Sequence, residues 1–195
     1  MKRLISLISL FVCCFAASAQ PTSIGGITPG TTSREELKSL LRESDDVGTG
    51  KYVFGGLKQL AGQWASISLQ NDVVYEVDVP MDSLSDDDES AELKRALLKK
   101  YGQPKIKIGA IRTVKCQNKF GASFDRVEGK QRLLWPVKEG VQGEIEQDAV
   151  GNCSDRIFKK YVLRHVATFR AVEEASKENA RREAEKLRSK LKDAL

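Results

Sequence analysis

The sequence has very few of the residues that usually build a catalytic or metal site. It contains one histidine, His165, among 195 residues, and this excludes any metal site with two histidine ligands. A Ser-His-Asp triad would have to use His165, but no serine stands in the Gly-x-Ser-x-Gly context of a nucleophile elbow. We therefore predict a structural or surface role for His165, and we predict no catalytic or metal-ligating set in this chain.

Long apolar runs are also absent. The longest one, from Leu4 to Phe15, is too short for a membrane helix, which needs about 20 apolar residues. It follows Met1-Lys2-Arg3 and precedes Ala17-Ser18-Ala19, which is the charged, apolar and small-residue order of a cleaved secretory signal peptide. The sequence therefore predicts that residues 1–19 are removed near Ala19, and that the protein is periplasmic or secreted and has no membrane span.

Cysteines are scarce once this leader is set aside. Two of the four cysteines lie within it, which leaves Cys116 and Cys153. These two lack the C-x-x-C spacing of a redox motif. In an oxidising compartment an isolated pair most simply forms a disulfide, and we predict a Cys116–Cys153 bridge. A reactive cysteine is the alternative.

Charge of one sign does not dominate the chain. The formal net charge is +5, and residues 170–195 combine eight basic with six acidic residues. This segment is rich in Ala, Glu, Lys and Arg, and pairs such as Glu173 with Lys177 stand at the favourable i, i+4 spacing. It is predicted to be a charged C-terminal helix that does not bind nucleic acid. The sequence leaves open whether this helix docks on the domain or projects from it.

Two further helices are indicated before that segment. Ser33 followed by Glu35 and Glu36 is typical of a capping box, and leucines at helical spacing continue the first helix to about Arg42. The second helix is predicted from Ser85 to the residue before Gly102. It has acidic residues in its first turn and lysines in its last turn, an arrangement that complements the helix dipole.

Several segments carry the signals of β-strands. Apolar and polar residues alternate on both sides of Asn71-Asp72, which predicts a hairpin with one buried face. Residues 157–169 fit both a strand and a helical stripe, and their β-branched residues favour the strand. The shorter predicted strands are Tyr52 to Phe54, Ile111 to Cys116, Arg132 to Val137 and Val141 to Ile145.

In chain order these elements predict an α+β fold. Two imperfect α-β-β-β repeats, at about 24–80 and 85–169, would share one domain from residue 20 to residue 169. Each helix needs a sheet face on which to bury its apolar stripe, so we expect an antiparallel sheet with both helices on one face. The long charged helix at 170–195 is added to this unit.

Two motifs have ordinary explanations. Gly48-Thr49-Gly50-Lys51 resembles a phosphate-binding loop, but the first glycine and the final Ser or Thr of that motif are missing. The acidic run from Asp82 to Glu89 could attract calcium, but it lacks the glycine and ligand order of an EF-hand loop, and acidic residues stabilise a helix N-terminus without any metal. We predict no cofactor.

Aromatic residues on the predicted strands are the candidates for a binding surface. Trp64, Tyr75 and Trp135, with Phe124, lie near basic residues in the sequence. Aromatic side chains are enriched at protein interfaces, although in strands they are also common in the core.

The two repeats resemble a known family of envelope proteins. The segment Ile27-Thr28-Pro29-Gly30-Thr31-Thr32-Ser33-Arg34-Glu35-Glu36-Leu37, and a second helix that ends in Lys100-Tyr101-Gly102-Gln103-Pro104, are similar to the repeat of the SmpA/OmlA-type outer-membrane assembly lipoproteins and of the β-lactamase-inhibitor-protein fold. The chain has no lipobox. The resemblance implies an exported protein that works by binding other proteins.

We therefore expect an exported, non-enzymatic binding or scaffold protein whose partner is another envelope or secreted protein. The alternatives are a hydrolase whose carboxylate or serine site cannot be placed from the sequence, and an inhibitor of a secreted enzyme.

Overall fold

The structure is a computed structural model that describes residues 20–81, 89–154 and 157–193. The predicted signal peptide, the acidic run at 82–88 and the predicted start of the second helix lie outside the described residues. The elements are α1 (Arg34–Leu40), β1 (Tyr52–Leu57), a 3-10 helix (Lys58–Leu60), β2 (Gln63–Gln70), β3 (Val73–Pro80), α2 (Glu89–Tyr101), β4 (Ile106–Gln117), β5 (Ser123–Leu134), β6 (Val141–Ser154), β7 (Ile157–His165) and α3 (Val166–Asp193).

The strands of the described residues form one antiparallel sheet in the order β1-β2-β3-β7-β6-β5-β4. This confirms the predicted α+β class with an antiparallel sheet and a long C-terminal helix. The first repeat is α1-β1-β2-β3, and the second has one strand more, α2-β4-β5-β6-β7. The repeats join where β3 pairs with β7, so β1 and β4 are the two edges of the sheet.

Local sequence signals account for the start of the first repeat. The Ser33 hydroxyl accepts a hydrogen bond from Glu36 N, and the Glu36 carboxylate accepts one from Ser33 N at 2.7 Å, which completes the capping box. Asn71 and Asp72 have φ values of 51° and 60° and form the two-residue turn between β2 and β3.

The hydrophobic core lies on one face of the sheet, called the core face below. Side chains of Val53, Ile67 and Leu163 point into it. Helices α1 and α2 cover this face with Leu37, Leu97 and Tyr101. The opposite side of the sheet is called the outer face.

The segment that the sequence left ambiguous, 157–169, is a strand as far as His165 and a helix from Val166. The predicted start of the C-terminal helix at 170 was therefore four residues too late. The last residue pair between β6 and β7 is Val141 with His165. Beyond this pair Val166 N donates a last hydrogen bond to the Gly140 carbonyl at 2.9 Å, and the chain then turns into α3.

Helix α3 docks through its first turns and then projects. The Phe169 ring lies 4.3 Å from the Arg164 guanidinium on the outer face, whereas every residue from Glu173 to Lys190 is exposed. The projecting part carries i, i+4 ion pairs, including Glu173 with Lys177 at 2.9 Å. None of the helices in the described ranges is both long and apolar enough to cross a bilayer.

Strands β4 and β5 extend beyond the part of the sheet that α1 and α2 cover. Most residues of β4 are exposed, and most of those in β5 are exposed or half-buried. Residues 123–131, for which no strand was predicted, belong to β5. They carry no strand signal because a strand with no covered face needs no alternation of apolar and polar residues.

The predicted disulfide between Cys116 and Cys153 is present. It links β4 to β6, which are not neighbours in the sheet order β6-β5-β4, and brings the Cα atoms of the two cysteines to 5.9 Å. The bridge therefore holds the three strands together where helices do not cover them.

We expect the double substitution Cys116→Ser and Cys153→Ser to lower the free energy of unfolding by up to about 4 kcal/mol. This is the chain-entropy value for a closed loop of this length, whose ends are 37 residues apart. Urea unfolding followed by circular dichroism measures the change. Reductant should shift the midpoint of the wild type and leave that of the double variant unchanged; equal midpoints for all samples would contradict a stabilising bridge.

Candidate binding surface

Three large aromatic side chains are exposed together on the outer face of β1 and β2. Tyr52 is 63% exposed, Phe54 64% and Trp64 52%. They alternate with core residues such as Val53 and Ala65, so the pleat of the strands points them away from the core. We call Tyr52, Phe54 and Trp64 the aromatic patch.

Strand register places the three rings in successive rows of the outer face. Each row pairs one aromatic residue with a small residue of the neighbouring strand: Tyr52 with Ser68, Phe54 with Ser66, and Trp64 with Gly56. Because same-face residues on a strand are separated by two residues, the rows lie about 7 Å apart. The result is a flat surface of rings with hydroxyl groups beside them.

A fixed cation extends the patch beside Trp64. The Arg42 guanidinium lies 4.7 Å from the centre of the Trp64 ring. It occupies the space above Gly56, where a Cβ atom would overlap Arg42 and lie 2.7 Å from the Gly62 carbonyl oxygen. Asp45 accepts a hydrogen bond from Gly56 N at 2.7 Å, and this bond is the main reason that the pKa of Asp45 is lowered. The turn after α1 thus positions Arg42.

Two grooves border the patch. One, of about 560 Å³, lies beside Trp64 between the 3-10 helix and α2. The other, of about 710 Å³, lies between α3 and the β2–β3 hairpin and contains Tyr52 and Tyr75. Tyr75 reaches the outer side because the pairing of β2 with β3 shifts between Ser68 and Leu69. Burial raises the pKa of the Tyr75 hydroxyl.

The residues predicted to form a binding surface lie in different parts of the structure. Trp64 lies in the aromatic patch, and Tyr75 lines the groove next to it. Trp135 is 1% exposed and lies in the core, where its Nε1 donates a hydrogen bond to the Gly102 carbonyl at 3.0 Å. Phe124 lies on β5 beneath the Arg126 guanidinium. Tyr52 and Phe54 were not predicted as surface residues; their alternation with Val53 indicates a strand but not which of its faces is exposed.

The rest of the outer face is a network of charged side chains, called the charge ladder below. Its members lie on the adjacent strands β3, β7, β6 and β5, and basic and acidic residues alternate between neighbouring strands. They are Glu76, Asp78, Lys160, Arg164, Glu144, Glu146 and Arg132.

Glu144 is the buried centre of the charge ladder. It is fully buried, and its Oε2 accepts hydrogen bonds from Arg132 Nε and Nη2 at 2.8 and 2.5 Å. Its Oε1 lies 2.5 Å from Arg164 Nη1, a close charge contact without the angle of a hydrogen bond. Burial raises the pKa of Glu144 to about 7 against the attraction of the arginines.

The pKa of its neighbour Glu146 is shifted in the opposite direction. Burial alone would raise the pKa of Glu146, but hydrogen bonding to Glu144 and the charge of Lys160 lower it below its ordinary value. The two carboxyl groups therefore titrate as a pair in which the proton stays on Glu144.

The carboxylates of the ladder are buried or paired with basic side chains. Glu144 has no exposed surface. An open groove of about 490 Å³ beside the ladder is lined by Asp78, Glu146 and Phe158, but Lys160 Nζ lies 2.7 Å from Asp78 and 3.2 Å from Glu146. Within the described ranges, no three His, Cys, Asp or Glu side chains come together in a way that could hold a metal ion.

His165 occupies a structural position. Its Nδ1 lies 2.8 Å from the Thr168 hydroxyl at the start of α3. Its ring fills the space beside Gly30 and Gly140, where a Cβ atom would overlap it. The His165 ring therefore packs where the turns at Gly30 and Gly140 meet the start of α3.

Comparison with protein-family models, curated proteins and solved structures finds no match to this chain.

We expect the wild type to lose stability as the pH rises from about 5 to about 7, because native Glu144 retains a proton that the unfolded chain has already released. The native state binds more protons in this window, so the free energy of unfolding falls with pH. The loss due to Glu144 should be on the order of 3 kcal/mol. Glu144→Gln should reduce this slope, as measured by urea unfolding at several pH values; Glu76, whose pKa is also raised by burial, contributes the remainder.

Glu139→Gln is the matched control, since the Glu139 side chain is 71% exposed. It should keep the wild-type slope. An unchanged slope in Glu144→Gln would show that Glu144 does not hold the proton.

Proposed function

We propose that this chain is an exported, non-enzymatic binding protein that contacts a partner protein through the aromatic patch. The observation that carries the proposal is the exposure of Tyr52, Phe54 and Trp64 on one face of the sheet. Large aromatic side chains that are exposed together are costly in water, and such surfaces commonly mark interaction sites.

The composition of the patch favours a protein partner. Trp, Tyr and Arg are the residues that dominate binding energy at protein interfaces, and the patch brings Trp64 together with Arg42. The groove of about 560 Å³ next to Trp64 could receive a partner side chain. Aromatic side chains carry much contact area with few rotatable bonds, so their ordering costs little on binding.

The rigidity of the surface supports the same function. The rings stand on paired strands whose register is continuous from Tyr52 to Leu57. Arg42 is held by the turn after α1, where its backbone N donates to the Gly56 carbonyl at 3.0 Å. A surface that is ordered before binding loses less conformational entropy on association.

An extracytoplasmic location is part of the proposal. The charged, apolar and small-residue order of residues 1–19 supports export. The disulfide between Cys116 and Cys153 supports an oxidising compartment, because such bonds are rare in the cytosol. The resemblance of the repeats to envelope proteins that bind other proteins agrees with this location.

The enclosure of Glu144 supports the binding proposal over a hydrolase. This carboxyl group, whose pKa is raised by burial, is fully buried and paired with Arg132 and Arg164. A general acid or base must reach the proton it transfers. An inhibitor of a secreted enzyme would be one form of the proposed binding protein, with an enzyme as the partner.

Site-specific crosslinking tests the proposal. With a photoreactive phenylalanine analogue at position 54, the protein should form a discrete adduct with another protein when it is illuminated in its native host. Trp64→Ser in the same chain should reduce the adduct about tenfold or more, because it removes a large ring of the patch next to position 54. Denaturing electrophoresis and mass spectrometry measure and identify the product.

The matched control carries the analogue at Val137, which is 50% exposed and lies outside the patch. It should give no such adduct. Equal adducts at both positions, or adducts at position 54 that Trp64→Ser does not reduce, would contradict a binding role for the patch.

Substitutions in the patch should affect binding without affecting folding. We expect Tyr52→Ser and Phe54→Ser to change the free energy of unfolding by only about 0.5 kcal/mol, because more than half of each side chain is exposed. By contrast, Trp135→Ala should cost about 3 to 5 kcal/mol, because it empties a filled core position. Urea unfolding measures both effects; a loss of several kcal/mol in the patch variants would instead indicate a structural role.

A further inference from the structure

The two edges of the sheet differ in whether the outward backbone groups of the edge strand have hydrogen-bond partners. At the β1 edge, Arg42 N donates to the Gly56 carbonyl, Asp45 accepts from Gly56 N, and Leu41 forms a bridge with Leu57. The turn after α1 therefore satisfies part of the free backbone of β1. At the other edge, no strand in the described part of the chain pairs with the outer side of β4.

The open edge is long and continuous. The pairing of β4 with β5 runs without interruption from Ile106 to Gln117, and it continues through Gly109 although that residue has a left-handed φ of 72°. Outward N–H and C=O groups of such an edge are a template for a further strand. Ile106 and Ile108 are 45% and 49% exposed on the outer face, which gives an added strand apolar contacts.

The charges along this edge have one sign. Every charged residue of β4 is basic: Lys107, Arg112 and Lys115. The acidic residues Asp125 and Glu128 lie on β5, on the inner side of β4, at 2.7 and 2.5 Å from Lys115 and Arg112. A strand that approaches the edge from outside therefore meets basic side chains on β4, of which Arg112 and Lys115 are shared with carboxylates of β5.

We propose that β4 accepts an extended acidic segment of another protein as an eighth strand of the sheet. Backbone hydrogen bonds to β4 would supply affinity, and acidic side chains opposite Lys107 and Lys115 would select the segment. A second copy of β4 would bring only further cations to this edge, which disfavours self-pairing. This surface is separate from the aromatic patch, so the inference does not depend on the function proposed for the patch.

The disulfide restrains the strands at this edge before a partner binds. Cys116 lies near the end of β4 and is bonded to Cys153 of β6, so the exposed strands are linked before any partner arrives. A strand that is already ordered loses less conformational entropy when it binds.

Two model peptides test the inference. One is a short acetylated and amidated peptide in which Glu alternates with Thr or Val; its twin has Lys in place of Glu. The Glu peptide should bind the wild type and slow hydrogen exchange of amides in β4, whereas the Lys peptide should do neither. Lys107→Glu with Lys115→Glu should weaken binding of the Glu peptide about tenfold or more and should allow binding of the Lys peptide.

A control variant, Lys119→Glu with Lys138→Glu, changes the net charge by the same amount outside β4. It should keep most of the affinity for the Glu peptide and the same protected amides. The inference is overturned if both peptides bind alike, if neither binds, if protection lies outside β4 or if the control loses as much affinity. It is also overturned if β4 amides become protected without peptide as the protein concentration rises, because the occupant would then be a second copy.

Discussion

Arg164 connects parts of the molecule that are far apart in the sequence. From β7 it pairs with Glu76 of β3, at 2.9 Å, and with Glu144 of β6, while Phe169 of α3 covers its guanidinium. In the part of the chain that the structure describes, the two repeats pair through β3 and β7. One buried cation therefore lies at the junction of both repeats and the C-terminal helix. Removing one partner of such a group leaves an uncompensated buried charge, which is far more costly than replacing the whole network.

The charge ladder also explains why the sheet has two different faces. Helices α1 and α2 cover the core face, whereas among the described helices α3 packs on the outer face near its start, where Phe169 lies over Arg164. Ion pairs across four strands allow this side to remain without an apolar cover. Where the ladder ends, toward β1, the exposed residues are rings instead of charges. That change in surface chemistry along one sheet is what separates the proposed binding surface from the structural network.

Sequence patterns were informative where one side of an element is buried. The β2–β3 hairpin and the capping box at Ser33 were predicted because alternation and capping are local properties. The first part of β5 was not, because its side chains face solvent on both sides and need no period. The change from strand to helix at Val166 also depends on a distant event, the start of β6 at Val141. Tyr52 and Phe54 alternate with Val53, but only the covered side of β1 tells which residues remain exposed.

The amino-acid sequence by itself determined the local elements, the α+β class and the cysteine pair, because propensity, capping and period act over a few neighbouring residues. Tertiary structure decided the joining of β3 to β7, the burial of Trp135, the exposure of Trp64 and the open edge at β4. Each of these four features depends on which strands and helices pack together. The contacts between those elements are made by residues that are far apart in the chain. The charges around Arg164 likewise come from β3, β6 and β7, so their proximity is a property of the sheet order alone.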